Sequence, residues 1–321
     1  MEYRKIPHTK KETSVLGIGT WSVISPEWGG SPERAEEIIR NSLEYDVNLF
    51  DTADVYGNGI GDKVLGKAIS TKRDRVVIIE KIGFVPHNVR KDRLSPEVLD
   101  KRLKDALRRL NTDYVDILML HNPIMDDITN GDIYEFMKST VEDGYAESIG
   151  VALGPTIGWL EEGIESSKRG YLALEHIYNV IERKPGEDLL KLNVAHFIRV
   201  PHASDVLDET KWPIEENHTL HRRYKNLEWL IRASEAVKEL KDFLSVRGMS
   251  LSEVALRFVI TNLAVTSVIP NISSISDIRR FVTEIEKGKL DEETLSFLKN
   301  QYDKKFKPLN QESIRETELY K

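Results

Sequence analysis

The chain has 321 residues, a formal net charge of −7, a pI of about 5.7, 40% apolar and 31% charged residues, and no cysteine. That balance excludes a disordered chain and a general electrostatic pull toward nucleic acid or anionic membrane. The absence of cysteine removes disulfides, thiol nucleophiles and thiolate metal sites together, so any chemistry uses oxygen and nitrogen groups.

Short β-rich runs alternate with longer amphipathic ones along the whole chain, the pattern of a parallel sheet covered by helices. The strands are predicted at Val15–Thr20, Val47–Asp51, Val76–Lys81, Val115–His121, Ser148–Leu153, Ala173–Tyr178, Val194–Val200 and Val265–Ile269. Helical spacing of apolar residues predicts helices over Pro32–Tyr45, Pro96–Leu110 and Leu227–Val246. Ser95 before Pro96 reads as an N-cap followed by proline in the first turn.

Eight strand–helix pairs predict an α/β fold, a (β/α)8 TIM barrel formed as one domain over 1–321. Two regions exceed the repeat: an inserted polar loop at about 201–224 and a tail from about 289, the loop read as a lid or binding loop. His218 and His221 in that loop lack an acidic ligand pattern, and no metal site is assigned. No segment reaches the ~18 apolar residues of a membrane span. Met1-Glu2-Tyr3-Arg4-Lys5 is too polar for a signal peptide, so the chain reads as cytoplasmic, with small molecules rather than nucleic acid or membrane as partners.

In parallel barrels the reactive groups sit where strands end. The second strand ends in Asp51 and runs on to Tyr56, the third ends in Glu80-Lys81, and the fourth in His121-Asn122-Pro123. A free phenol titrates near pH ~10, and each unit of lowering requires ~1.4 kcal/mol of preferential stabilisation of the phenolate. An ammonium at Lys81 supplies such stabilisation, Asp51 keeps that ammonium charged, and His121 donates to a substrate oxygen. These groups polarise a carbonyl and deliver a proton; since no side chain donates hydride, a reduced nicotinamide is the natural complement. Singly, each residue also has a structural reading: Asp51 as a helix cap, Lys81 as a solvated strand end, His121-Asn122-Pro123 as a turn.

The sequence resembles the aldo-keto reductase family. The resemblance rests on Gly17-Ile18-Gly19-Thr20-Trp21, on Asn48-Leu49-Phe50-Asp51-Thr52-Ala53-Asp54-Val55-Tyr56-Gly57, and on Asp113-Tyr114-Val115-Asp116-Ile117-Leu118-Met119-Leu120-His121-Asn122-Pro123. Ile149-Gly150-Val151, Tyr178-Asn179 with Arg183, and Ser267-Val268-Ile269-Pro270 follow in family order. It implies a catalytic tetrad of Asp51, Tyr56, Lys81 and His121, and NAD(P)H-dependent reduction of aldehydes or ketones or the reverse alcohol oxidation.

The same resemblance implies cofactor contacts from Gly19, Thr20, Trp21, Asp51, Glu175, Arg199, Ser204, Pro270, Asn271, Ser274, Asp277 and Arg280, with Trp28 beside them. It also marks departures. Ala152, Leu153 and Glu175 stand where the family holds the nicotinamide carboxamide with serine, asparagine and glutamine. A carboxylate at 175 favours the cationic oxidised nicotinamide if it is ionised and near the ring. Asp205 replaces a glycine in the loop after strand seven. Asp277 reads as a partner for a ribose 2′-hydroxyl, by analogy with Rossmann sites, which leans the choice between NAD and NADP to NAD; Arg279 or Arg280 turned inward would favour NADP. Ser273, Ser274 and Ser276 also read simply as caps of the last helix. Glu80 stands where the family often has a small residue, and no role is assigned to it.

Two other functions share these residues. A Schiff-base lyase would use Lys81 as a nucleophile, but Asp51 keeps that lysine charged. A cofactor-binding or redox-sensing protein with little turnover is suggested by the altered carboxamide contacts.

Overall fold

A computed structural model describes residues 1–26, 29–85, 94–214 and 225–317, the side chains of 315–317 apart. Trp28, His218 and His221 lie outside the described residues. The chain begins with an antiparallel hairpin, β1 (Tyr3–Lys5) and β2 (Glu12–Ser14). Eight parallel strands follow: β3 (Gly17–Gly19), β4 (Leu49–Ala53), β5 (Val77–Ile82), β6 (Val115–His121), β7 (Ala146–Ala152), β8 (Ala173–Ile177), β9 (Ala195–Arg199) and β10 (Val265–Ile269).

Each strand pairs with its sequence neighbour, in the order β10-β9-β8-β7-β6-β5-β4-β3. A parallel bridge between Leu16 and Val268, with Val268 N donating to Val15 O at 2.8 Å, brings the two ends together. The architecture is therefore the expected (β/α)8 barrel.

Helices cover the outside, including Pro32–Glu44, Ile60–Ile69, Pro96–Leu110, Leu251–Thr261 and Ile275–Glu286. Ser95 caps Pro96–Leu110 by accepting from Val98 N, as its sequence context predicts. The continuous helix expected over Leu227–Val246 is two, Leu227–Ala236 and Lys238–Ser245, broken at Val237. No helix among the described residues is long and apolar enough to cross a membrane.

Side chains on a strand alternate between faces, and this divides the core in two. Leu49, Val77, Ile79, Ile117, Met119, Ala173, Ala195, Phe197 and Ile269 fill the barrel interior, with Ile6 from the hairpin among them. Phe50, Ile78, Ile82, Leu118 and Leu120 face the helices in the larger core.

The region read as a polar insertion is partly core: Ala203, Val206, Leu207 and Ile214 are buried, and the stretch makes tight turns ending in a 3₁₀ turn at Glu209–Lys211. The tail forms helices Glu292–Gln301 and Lys307–Thr317 around one π-helical turn, Tyr302–Phe306. Phe306 and Leu309 are buried, and Arg183, Lys184 and Trp229 bond to backbone or side-chain atoms of Leu298, Asn310 and Leu309.

Candidate active site

The period-two alternation that fills the barrel also sets its chemistry. Leu49 and Asp51 point inward from β4, as do Val77, Ile79 and Lys81 from β5 and Ile117, Met119 and His121 from β6. On β8 and β9 the inward columns run Ala173 to Glu175 and Ala195, Phe197 to Arg199. Each column is apolar until its last member, so Asp51, Lys81, His121, Glu175 and Arg199 meet at the carboxyl ends of the strands.

Tyr56 reaches the same place from the loop after β4. Gly57, Asn58 and Gly59 that follow it have φ of 55°, 54° and 84°. Glycine and asparagine are the residues that adopt this left-handed backbone at least cost, which lets the chain reverse and start the helix Ile60–Ile69. The phenol ring packs 5.2 Å from Trp21 and edge-on, at 5.7 Å, to His121; Phe84 lies 5.2 Å from His121.

Lys81 Nζ donates to Asp51 Oδ1 and Oδ2 at 2.5 and 2.6 Å and to Glu175 Oε2 at 3.0 Å. Arg199 Nε stands 3.4 Å from Glu175 Oε1, and its guanidinium also donates to Leu153 O at 2.9 Å and to Gly154 O. Burial opposes the charge on Lys81, but Asp51 and Glu175 outweigh it and hold its pKa above the usual lysine range. Burial, reinforced by the charge of Glu175 and opposed by Lys81, pushes Asp51 up to about 7. Burial likewise raises the phenol of Tyr56, with Lys81 opposing and the two carboxylates adding to it. His121 is driven well below the usual imidazole range by burial and then by Lys81, Arg199 and Arg102, so its ring is neutral. Its Nδ1 is buried with no partner among the described residues.

These groups line or underlie a pocket of about 400 Å³. Of the residues expected to hold a cofactor, Gly19, Trp21, Asp51, Glu175, Arg199, Ser204, Pro270 and Asn271 line it. Thr20 is turned away: it is fully buried and its hydroxyl donates to Thr52 Oγ1. Ser274, Asp277 and Arg280 stand apart from the pocket lining among the described residues. Ser274 caps the helix Ile275–Glu286, Asp277 accepts from Ser273 N and Oγ, and Arg280 is bound to Asp208. Asp205, in place of the family's glycine, keeps a left-handed backbone at φ 71°, following Ala203 and Ser204 at 48° and 56°. Strain of this kind gathers where a loop must present its backbone to a ligand.

Phe84, Thr156, Glu182 and Lys225 also line the pocket and were not singled out from the sequence. Phe84 and Thr156 follow strand ends within a few residues, a position that marks them as candidates. Glu182 and Lys225 have no local signal: Lys225 Nζ meets Glu182 Oε1 at 2.6 Å only because the chain returns after 43 residues. Among the described residues no group of three or more His, Cys, Asp or Glu is placed to hold a metal ion.

The family model for the aldo/keto reductase family matches residues 15–302. The chain belongs to the aldo/keto reductase family. Aldo-keto reductase YhdN of Bacillus subtilis is 34% identical over 157 residues, covering 47% of each chain. An oxidoreductase of uncharacterised function from the same species, YqkF, is 25% identical over 313 residues, 94% of this chain and 96% of its own. Among solved structures, the holo form of aldo-keto reductase AKR11C1 from Bacillus halodurans aligns with a TM-score of 0.75 at 23% identity, covering 94% of this chain and 96% of that one, a likeness of fold. Membership makes the chain an oxidoreductase by family.

Proposed function

We propose that the protein interconverts a small carbonyl compound and its alcohol with NAD(P) as the redox partner, using Tyr56 as proton donor and acceptor. The observation that carries this reading is the buried Asp51–Lys81 pair set beside the Tyr56 ring, whose centroid lies 5.2 Å from Nζ, with neutral His121 edge-on to the same ring. A neutral imidazole donates a hydrogen bond to a substrate oxygen without adding a charge to the pocket. Tyr56 delivers the proton to that oxygen, and Lys81 stabilises the phenolate left behind. Asp51 keeps Lys81 protonated in a site where burial alone would strip it.

The pocket suits a dinucleotide at its Ser204, Pro270 and Asn271 side, where Ser204 belongs to the left-handed turn at 203–205. A dinucleotide held by these residues in its reduced form would supply the hydride. Trp21, Phe84 and the Tyr56 ring give the remaining wall an aromatic character that suits a small uncharged aldehyde or ketone. The engagement of Arg280 by Asp208 favours NAD over NADP. Fluorescence titration of the purified protein with NADH and NADPH tests the reading: saturable binding of either supports it, and binding of neither removes its basis.

A second reading, a cofactor-binding or redox-sensing protein with little turnover, draws on the carboxamide end of the pocket. Ala152 and Leu153 offer no side-chain bond there, and Glu175 is engaged by Lys81 and Arg199. Tight nucleotide binding with negligible turnover over a broad carbonyl panel would favour it.

A further inference from the structure

Asp51, Lys81, Glu175 and Arg199 form one chain of alternating charges drawn from β4, β5, β8 and β9. In the sheet β5 and β8 are separated by β6 and β7, so the 3.0 Å bond from Lys81 to Glu175 spans the barrel interior. An ammonium has three protons to give. The short bonds from Nζ end on both oxygens of Asp51 and on Glu175, so the phenol, which the same cation stabilises as phenolate by charge and by hydrogen bonding, shares it with two carboxylates. Charge-assisted bonds of this kind are the strong ones, and a second carboxylate on the ammonium cancels much of its field at a neighbouring group.

We propose that Glu175 is a positioning residue that draws the Lys81 ammonium toward itself, offsets its charge at the Tyr56 phenol, and so keeps the phenol protonated to higher pH than the Asp51–Lys81 pair alone would. The inference rests on the reading of Tyr56 as the proton-transfer group. Other charged groups act differently. Arg199 on β9 partly offsets Glu175, and His121 on β6 is neutral. Behind β4 and β5, Glu80, Asp54 and Asp62 face Arg102 and Arg109. Lys225 and Glu182, further round the pocket, are paired with each other. Of the carboxylates other than Asp51, Glu175 is the one that accepts a hydrogen bond from Lys81 among the described residues. Burial is the main cause of the raised phenol, and Glu175 adds to it.

For the proposed reaction, alcohol oxidation needs the phenolate and would be confined by Glu175 to more alkaline pH. The test compares wild type with Glu175→Gln and Glu175→Leu. The first keeps shape and removes charge; the second removes charge without supplying an amide. Ultraviolet titration of the tyrosinate band, as a difference against Tyr56→Phe, follows this one phenol in the free protein. Both variants are expected to ionise Tyr56 at least about one pH unit lower, a tenfold gain in phenolate at a given pH. The alkaline limb of alcohol oxidation should move down by the same amount. An unmoved titration in both variants overturns the inference, as does a shift in Glu175→Gln alone, which would assign the effect to the amide rather than to the lost charge. Lack of turnover in every form would count against the proposed reaction and leave the titration to decide the role of Glu175.

Discussion

Arg280 grips Asp208 through two hydrogen bonds, 3.0 Å from Nη1 to Oδ1 and 2.8 Å from Nη2 to Oδ2. On the proposed reading, this bidentate pair keeps the guanidinium from a cofactor 2′-phosphate. The account predicts that NADH binds more tightly than NADPH. Asp208→Asn, by loosening the grip, should shift preference toward NADPH by about tenfold, or ~1.4 kcal/mol, and Asp277→Arg should shift it in the same direction. Parallel fluorescence titrations with the two nucleotides measure this. A wild type that prefers NADPH would reverse the assignment.

Removing members of the tetrad should separate chemistry from binding. Tyr56→Phe and Lys81→Met are expected to lower kcat by about 10²–10⁴-fold with nucleotide affinity nearly unchanged. Because His121 lies well below the imidazole range, it should add no ionisation between pH 6 and 8 to the profile of kcat/KM. An acidic limb near pH 7 is instead expected from Asp51, and Asp51→Asn should abolish it. The pH–rate profiles of these variants check both statements.

Glu80 sits on the outer face of β5, fully buried, with both carboxyl oxygens unpartnered among the described residues. Burial first, then Asp62 and Asp54, raise its pKa well above the carboxylate range, so the folded protein binds its proton more tightly than the unfolded chain. Stability from this group is therefore present at low pH and lost as pH rises from the ordinary carboxylate range toward the raised value. Asp62, pushed up to about 6, and Glu284, pushed up to about 7, act in the same direction. Glu80→Gln should leave Tm unchanged near pH 4 and raise it by ~2 °C or more at pH 8. Thermal melts at the two pH values decide it, and a lower Tm at pH 8 would contradict the account.

Much of this was legible from the sequence because a parallel barrel writes its order along the chain. The runs ending in Asp51, Lys81 and His121 announce both a strand and the polar group that closes it, and the structure joins them with five more strands in the expected eight-stranded sheet. Contacts that depend on closure left no local trace. Glu175 meets Lys81 94 residues away, and Arg280 meets Asp208 72 residues away, so neither engagement can be read from neighbours in sequence. The stretch after β9 was misleading for a different reason. Its charged residues mask Ala203, Val206, Leu207 and Ile214, which pack without any regular period because the chain there turns rather than runs in a helix or strand. Val237 broke the expected long helix although the apolar spacing continues through it.

A buried ion pair at Lys225 also meets the tail, through Ser313. Lys225 and Glu182 are nearly inaccessible, joined at 2.6 Å, and Lys225 also donates to Ser313 Oγ at 2.5 Å. Breaking such a pair leaves an uncompensated buried charge, so Lys225→Met should destabilise the fold by about 3–5 kcal/mol. The double variant Lys225→Met, Glu182→Leu should recover most of that loss. Denaturant unfolding of the single and double variants measures the difference, and an additive pair of losses would contradict the pairing.

The most direct test of the central claim is carbonyl-dependent oxidation of NADH or NADPH, followed by absorbance over a panel of small aldehydes and ketones, with wild type beside Tyr56→Phe. The account predicts turnover by wild type on at least one of them and its loss by at least about 10²-fold in the variant, with nucleotide binding retained. Wild-type turnover that survives Tyr56→Phe, or binding of neither nucleotide, would contradict it.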